Sequence, residues 1–240
     1  MVGMGPSHDT QAEQERIRAV YQSWLGKERI AAYAWHRPDV MEQDAARNRV
    51  AGAMLAEAFG SDLGTLGILD VGCGSGGFLR QLVHWGADPL KLTGTEYQHD
   101  RLEQARLRSA PGIRWHLGDL DILSDASVDL AIANTVFSSI LDPAARQTLA
   151  AEMWRVLRPG GWTMLFDFRY NNPSNAQVRR LGWHEARSLW PDDAFRYQTL
   201  LLAPPIARRL GAAPRLLGEL LVTLAPILRS HFIYMARKPG

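Results

Sequence analysis

Two rhythms of apolar and polar residues divide the chain. Over residues 11–60 apolar positions recur every three to four residues among charges, in "AEQERIRAVYQSWL" and "DVMEQDAARNRVAGAMLAEAFG", which is the pattern of amphipathic helices. The second run stops at Gly60, a residue suited to the turn that ends a helix. Between them "RIAAYAWHRPDV" is aromatic and closes on a proline. From Gly64 onward short apolar runs alternate with helical ones. Strands are expected at "LGILDV", "LKLTGTE", "GIRWHL", "VDLAIANT" and "GWTMLFDF", with helices at "GFLRQLVHWG", "DRLEQARLRS" and "PAARQTLAAEMWRVL". Strand and helix alternating at this period mean parallel strands joined by right-handed crossovers, with helices on both faces. In the last third "FRYQTLLLA" and "SHFIYMAR" read as strands separated by a long helical insert, so the final strand returns antiparallel. The expected architecture is α/β: a doubly wound, mostly parallel seven-stranded sheet with the last strand antiparallel, under an N-terminal helical cap.

Composition narrows the function classes. With 240 residues and 46% hydrophobic residues, one good-sized core is expected over residues 1–240. Twenty-seven basic against 25 acidic residues give a net charge of +2, too even to point to nucleic acid or an anionic membrane. The pair Arg179 and Arg180 reads as a solvated face with helix-end charge. A single cysteine, Cys73, excludes an internal disulfide and a thiolate metal site. The N-terminal residues lack a secretory pattern, and the apolar "LLGELLVTLAPIL" is broken by Glu219 and Pro226 and too short to span a bilayer. The expectation is a soluble, cytoplasmic protein without nucleic-acid or membrane partners; its apolar segments leave a homodimer open.

The candidate chemistry centres on "LDVGCGSGGFLR", where an apolar strand ends in an acid and then in glycines. In parallel sheets ligands sit at the carboxyl ends of strands, and glycines allow sharp turns and close approach. Gly72, Gly74 and Gly77 also satisfy the G-x-G-x-x-G dinucleotide fingerprint, and Glu96 lies about twenty residues on, where an acid meets a ribose diol. Asp70 separates the readings. A pyrophosphate beside a partly desolvated carboxylate is penalised, whereas a cofactor with a cationic amino-acid end gains from it.

The motifs "LDVGCGSGG", "GTE", "GDL" at 118–120, "VDLAIANTVFSSI" and "RVLRPGGWTMLFDF" follow in order. In this order the chain resembles the class I S-adenosylmethionine-dependent methyltransferases, in the branch with small-molecule enzymes of sugar and natural-product pathways and ubiquinone-type enzymes. The resemblance spans about residues 21–238. It implies S-adenosylmethionine as cofactor and S-adenosylhomocysteine as product. It places Asp70, Gly72 and Gly74 at the methionine end, Glu96 on the ribose, Tyr97 beside the adenine, Asp119 on its amino group, Leu120 against the ring and Asn134 near the methionine moiety. The implied division is a helical cap at about 10–60, a cofactor-binding core at 65–170, and substrate-side loops, helices and the last two strands at 171–240.

Methyl transfer is an in-line displacement, so the protein's main work is placing the acceptor in a dry pocket; an alcohol acceptor also loses a proton, commonly to His, Asp or Glu. Of seven histidines, His36 lies in the lid segment between the cap helices, and His231 begins the last strand at the ligand edge. Both are candidate general bases. Tyr33 and Trp35 in the lid, Arg169, Tyr170 and Asn171 after the fifth strand, and Arg208 in the late insert are candidate substrate contacts, suited to an oxygen-rich or anionic molecule. No metal is expected, because Arg169 among the oxygen donors Asn134, Asp167 and Asn171 opposes a cation. The reading is methyl transfer to a small molecule, at oxygen before nitrogen or carbon. The rivals are a nicotinamide-dependent oxidoreductase and a non-catalytic nucleoside-binding module.

Overall fold

The computed structural model describes residues 8–23, 36–171, 175–202 and 225–240. Its strands are β1 (Ile68–Val71), β2 (Leu92–Glu96), β3 (Arg114–Leu117), β4 (Val128–Asn134), β5 (Leu157–Phe168), β6 (Ala194–Leu202) and β7 (Arg229–Arg237). They form one sheet in the order β3-β2-β1-β4-β5-β7-β6. β7 runs antiparallel to both β5 and β6, and the other pairings are parallel. The expected doubly wound sheet with an antiparallel last strand is therefore observed, with β7 inserted between its two predecessors in the sheet.

β1 and β2 are buried at every residue, as strands covered on both faces must be. Alternate residues divide between two apolar layers. Ile68, Leu130, Ile132, Met164, Phe166 and Ile233 face the helices α2 (Pro38–Phe59) and α3 (Gly77–His84), which supply Met54, Leu55, Phe78 and Leu82. Leu69, Ala131, Leu165, Phe232 and Tyr234 face α5 (Pro143–Val156), which supplies Ala150, Met153 and Val156. Asp142 caps α5 by accepting from the amides of Ala144 and Ala145 at 3.1 and 3.0 Å. The Trp190 indole, stacked on Trp154 and Tyr234, donates to the Ala150 carbonyl at 2.8 Å and seals this layer.

α1 (His8–Ser23) and α4 (His99–Arg108) are the other α-helices among the described residues of the first two thirds. Three details depart from the sequence pattern. "RPGG" lies within β5, where residues 158–161 loop out between the pairs Val128–Leu157 and Leu130–Trp162. A short helix α6 (Trp183–Ser188) precedes β6 where no element was expected. Arg179 and Arg180 end no helix: they lie in an irregular segment between Asn175 and Gly182. The "PPIARRL" insert lies outside the described residues, as do Tyr33, Trp35 and Arg208.

Candidate functional site

The carboxyl ends of β1, β2 and β4 converge on the glycine turn. Gly72 sits at φ +62°, and a Cβ there would lie 2.8 Å from Val136 Cγ2; at Gly76, φ +75°, it would lie 2.7 Å from the Trp115 ring. Both backbone conformation and space demand glycine at these positions. The Gly74 amide donates to Glu96 Oε2 at 3.0 Å, while Glu96 Oε1 accepts from the amides of Tyr97 and Gln98 at 2.8 and 3.0 Å. Glu96 thus fixes the turn and its own loop. Three backbone donors take three of the roughly four acceptor positions of the carboxylate, and the Arg101 guanidinium stands 3.9 Å from Oε2.

Asp70 is 1% exposed, and burial pushes its pKa up to about 7 against the attraction of Arg47 and the neighbouring Asn134 amide. Asn134 stands close enough to favour the charged form, yet outside hydrogen-bond geometry. Asp70 Oδ1 and both amide atoms of Asn134 are buried without a hydrogen-bond partner among the described residues. Orphaned polar atoms of this kind are costly unless a ligand satisfies them. Thr135, directly after Asn134, holds a left-handed φ of 55° and donates its amide to the Phe166 carbonyl at 2.7 Å. Such strain in a non-glycine residue costs on the order of 1 kcal/mol and gathers at functional sites.

On the other side of the turn, the Tyr97 hydroxyl donates to Asp119, and Leu120, the next residue along, is buried. Burial, followed by the bond to Asp119, raises the Tyr97 pKa, so the phenol keeps its proton. α1 covers the edge of this groove: Arg18 stands over the Tyr97 ring at 5.6 Å, and Gln98 Nε2 donates to the Arg18 carbonyl at 3.2 Å. The same helix reaches the loop after β4, where the Leu141 amide donates to Glu13 and Arg16 donates to the Ser139 carbonyl, both at 2.5 Å.

Arg47 is a member of the site that the sequence reading missed. Its guanidinium pairs with Asp44 on the same helix at 3.2 Å and lies 5.3 Å from the Phe78 ring centre and 5.9 Å from that of Phe166, and its charge also acts on Asp70. The signal is present in the sequence: Arg47 shares a helical face with Ala51, Met54 and Leu55, all buried. A cation on the core side of a helix needs an anionic partner.

The other candidates separate by position. His231, 1% exposed, packs on Phe166 and Phe168 with ring centres 5.0 and 4.4 Å away. Burial lowers its pKa to about 4, Nδ1 shares a 2.8 Å bond with Ser230 Oγ, and Nε2 has no partner among the described residues. Through the stacked Phe166, which pairs with Asn134 across the sheet, it sits beside the glycine-turn site. His36 is exposed, just before the start of α2. Arg169 donates to the carbonyls of Arg229 at 2.6 Å and Pro226 at 3.1 Å, and the Tyr170 hydroxyl donates to that of Ile227 at 2.9 Å. These two side chains tie the end of β5 to the start of β7. Asn171 Oδ1 accepts from the Arg180 amide at 2.8 Å. All three border a cavity of about 540 Å³ whose other walls include Arg179, Arg180, Trp183 and Tyr197. Among the described residues no group of three or more His, Cys, Asp or Glu gathers to hold a metal ion, and no helix is long and apolar enough to cross a membrane.

The buried acid on β1 and the orphaned amide on β4 leave polar atoms for a ligand to satisfy, beside the carboxylate on β2. Comparison with known proteins identifies the kind of domain. Residues 68–161 match a family model described as a methyltransferase domain. A curated relative, the phthiotriol/phenolphthiotriol dimycocerosates methyltransferase of Mycobacterium tuberculosis, is 35% identical over 117 residues, which is 46% of this chain and 41% of that protein. The chain spans 19 to 41% of the length of the first curated relatives it matches. Among solved structures, Burkholderia thailandensis 1,6-didemethyltoxoflavin-N1-methyltransferase with bound S-adenosylhomocysteine superposes with a TM-score of 0.63 at 18% identity, over 100% of this chain and 93% of that one. Haemonchus contortus phosphoethanolamine N-methyltransferase 2 in complex with S-adenosyl-L-methionine gives 0.64 at 16% identity, over 93% of this chain and 60% of that one. At these identities the structural matches establish the fold.

Proposed function

We propose that this chain, whose residues 68–161 match a methyltransferase-domain model, is a class I S-adenosylmethionine-dependent methyltransferase that methylates a small molecule, at an oxygen of a sugar or natural-product-type metabolite. The observation that carries the cofactor is the orphaned set of Asp70 Oδ1 and the Asn134 amide beside a turn that only glycine can make. When bound, S-adenosylmethionine supplies a methyl group activated by a sulfonium. Asp70 offers charge to the ammonium end, Gly72 and Gly74 leave room for it, and Arg47 stands within reach of a carboxylate. Glu96 accepts from a ribose hydroxyl, Asn134 meets the methionine moiety, and Tyr97, Asp119 and Leu120 bound the adenine.

For the acceptor, His231 is the better placed of the two histidines. Its neutral imidazole, whose Nε2 is buried and unpartnered among the described residues, could accept a hydrogen bond from an acceptor hydroxyl brought against it and hold it in line for attack. A base with a pKa of about 4 does not ionise an alcohol beforehand. It does suffice once the oxygen acquires methyl, because the resulting oxonium is far more acidic; its proton passes to Nε2 and then to solvent. His36, exposed at the entrance, is the alternative proton acceptor. Tyr33, Trp35 and Arg208 stay candidate acceptor contacts on the strength of their place in the sequence.

Labelled S-adenosylmethionine with matched hydroxyl and amine acceptors tests this reading. The expected result is label transfer to a hydroxyl with stoichiometric S-adenosylhomocysteine. Calorimetric binding of NAD(P) without any of S-adenosylhomocysteine would favour the oxidoreductase instead, and cofactor binding without turnover on a broad panel would favour a binding module.

A further inference from the structure

The cavity at the end of β5 carries an unbalanced charge. Arg169, Arg179 and Arg180 line it with one acid, Glu185. Glu185 Oε1 accepts 2.7 Å bonds from both Arg179 and Arg146, the latter fully buried behind the wall, so one carboxylate serves two guanidinium groups. Arg169 is spent on neutral carbonyls. No described residue bonds or pairs with the Arg180 guanidinium. Arg179 Nε is buried without a partner, a donor whose desolvation nothing described here offsets. The Trp183 and Tyr197 rings, 4.4 Å apart, supply an apolar wall beside these cations.

Arg146 makes the arrangement rigid. Besides Glu185 it donates to the carbonyls of Ile140, Arg179 and Arg180 at 2.7, 2.9 and 3.3 Å. The Arg179 amide in turn donates to the Ser138 carbonyl at 2.8 Å, in the loop that follows Asn134. The two arginines are therefore held on backbone that is bonded directly to the cofactor side of the site. A volume of about 540 Å³ suits a small molecule.

We propose that this cavity seats an oxyanion, a carboxylate or phosphate monoester, borne by the acceptor on an apolar body. Arg180 is its principal counter-charge, Arg179 Nε is a second donor, and Trp183 and Tyr197 lie against the body. This rests on the methyltransferase reading for the word acceptor, but not for the anion site itself. Arg180 is exposed, as the charge pattern of the pair leads one to expect, and it also lines the cavity.

Calorimetric titration of the whole protein with phenyl phosphate and with benzoate tests it, in the wild type and in Arg180→Gln and Arg180→Lys, with S-adenosylhomocysteine titrated into the same samples. Saturable binding of at least one anion is expected, weakened at least tenfold in Arg180→Gln and less in Arg180→Lys, with S-adenosylhomocysteine affinity unchanged. Preference between the two probes separates phosphate from carboxylate. Absence of saturable binding for both anions, or equal affinity in wild type and Arg180→Gln, overturns the proposal. Anion binding that depends on Arg180 in a protein that binds no S-adenosylhomocysteine overturns the methyltransferase reading and leaves the anion site standing.

Discussion

Replacing Asp70 by asparagine should stabilise the cofactor-free protein at alkaline pH while weakening cofactor binding. An unburied Asp titrates near 3.8, and in the fold Asp70 titrates at about 7. Below pH 3.8 both states hold the proton and the group is neutral in the balance. Between 3.8 and 7 the unfolded chain releases the proton while the folded chain keeps it, so stability falls as pH rises, and above 7 the loss is constant. At about 1.36 kcal/mol per unit the full loss is about 4 kcal/mol, an upper figure that relaxation around the site reduces. The asparagine amide is nearly isosteric with the carboxylate and carries no charge, so this slope disappears in Asp70→Asn. Urea unfolding of both proteins from about pH 5 to about pH 8 should show the difference in stability growing with pH in favour of Asp70→Asn, to about 2–4 kcal/mol at the upper end. A cationic ligand that holds Asp70 ionised should also release about half a proton on binding at about pH 7, readable by calorimetry in buffers of different ionisation heat. Parallel pH profiles for the two proteins, or an Asp70→Asn protein less stable at alkaline pH, would refute the reasoning.

Two further outcomes follow from neighbouring groups. Arg47→Gln should weaken S-adenosylhomocysteine binding roughly 10- to 100-fold, the scale of one charge-assisted bond, and leave 5′-methylthioadenosine, which lacks the amino-acid end, unaffected; equal losses for both would remove Arg47 from the carboxylate. His231 carries the opposite sign to Asp70: with its pKa lowered from 6.5 to about 4, stability is lost as pH falls through that window. His231→Gln should therefore gain relative to wild type on acidification, by at most about 3 kcal/mol near pH 4, and should slow methylation of a hydroxyl acceptor more than it raises the acceptor KM.

The sheet was legible because its strands are short, apolar and separated by helices whose periodicity is clear. The candidate cofactor residues were legible for a related reason: Asp70 and Glu96 stand at or next to the ends of strands that carry no other charge, so a charge there stands out against a simple background. Arg47 escaped notice because a charge within the polar stretch Glu42–Arg49 of an amphipathic helix looks ordinary until its face is compared with Ala51 and Leu55. The charge pattern marks Arg179 and Arg180 as a solvated face at a helix end; Arg180 is exposed, but the helix is absent, because the course of segment 175–182 is set by Arg146, more than thirty residues away, through bonds to backbone that no local pattern encodes. Arg169 and Tyr170 show the converse. Their types suited a ligand, and the fold employs both on carbonyls of residues 226–229.

α1 touches the molecule at both rims of the cofactor groove, through Glu13 and Arg16 on the loop after β4 and through Arg18 on the β2 side. It acts as a bar across the opening, fastened by a few bonds to backbone carbonyls and amides. On the proposed methyltransferase function, spent and fresh cofactor exchange beside this helix, and release of these few bonds would widen the path. The helix that looks most peripheral in the fold would then bear on how often the site can be reloaded.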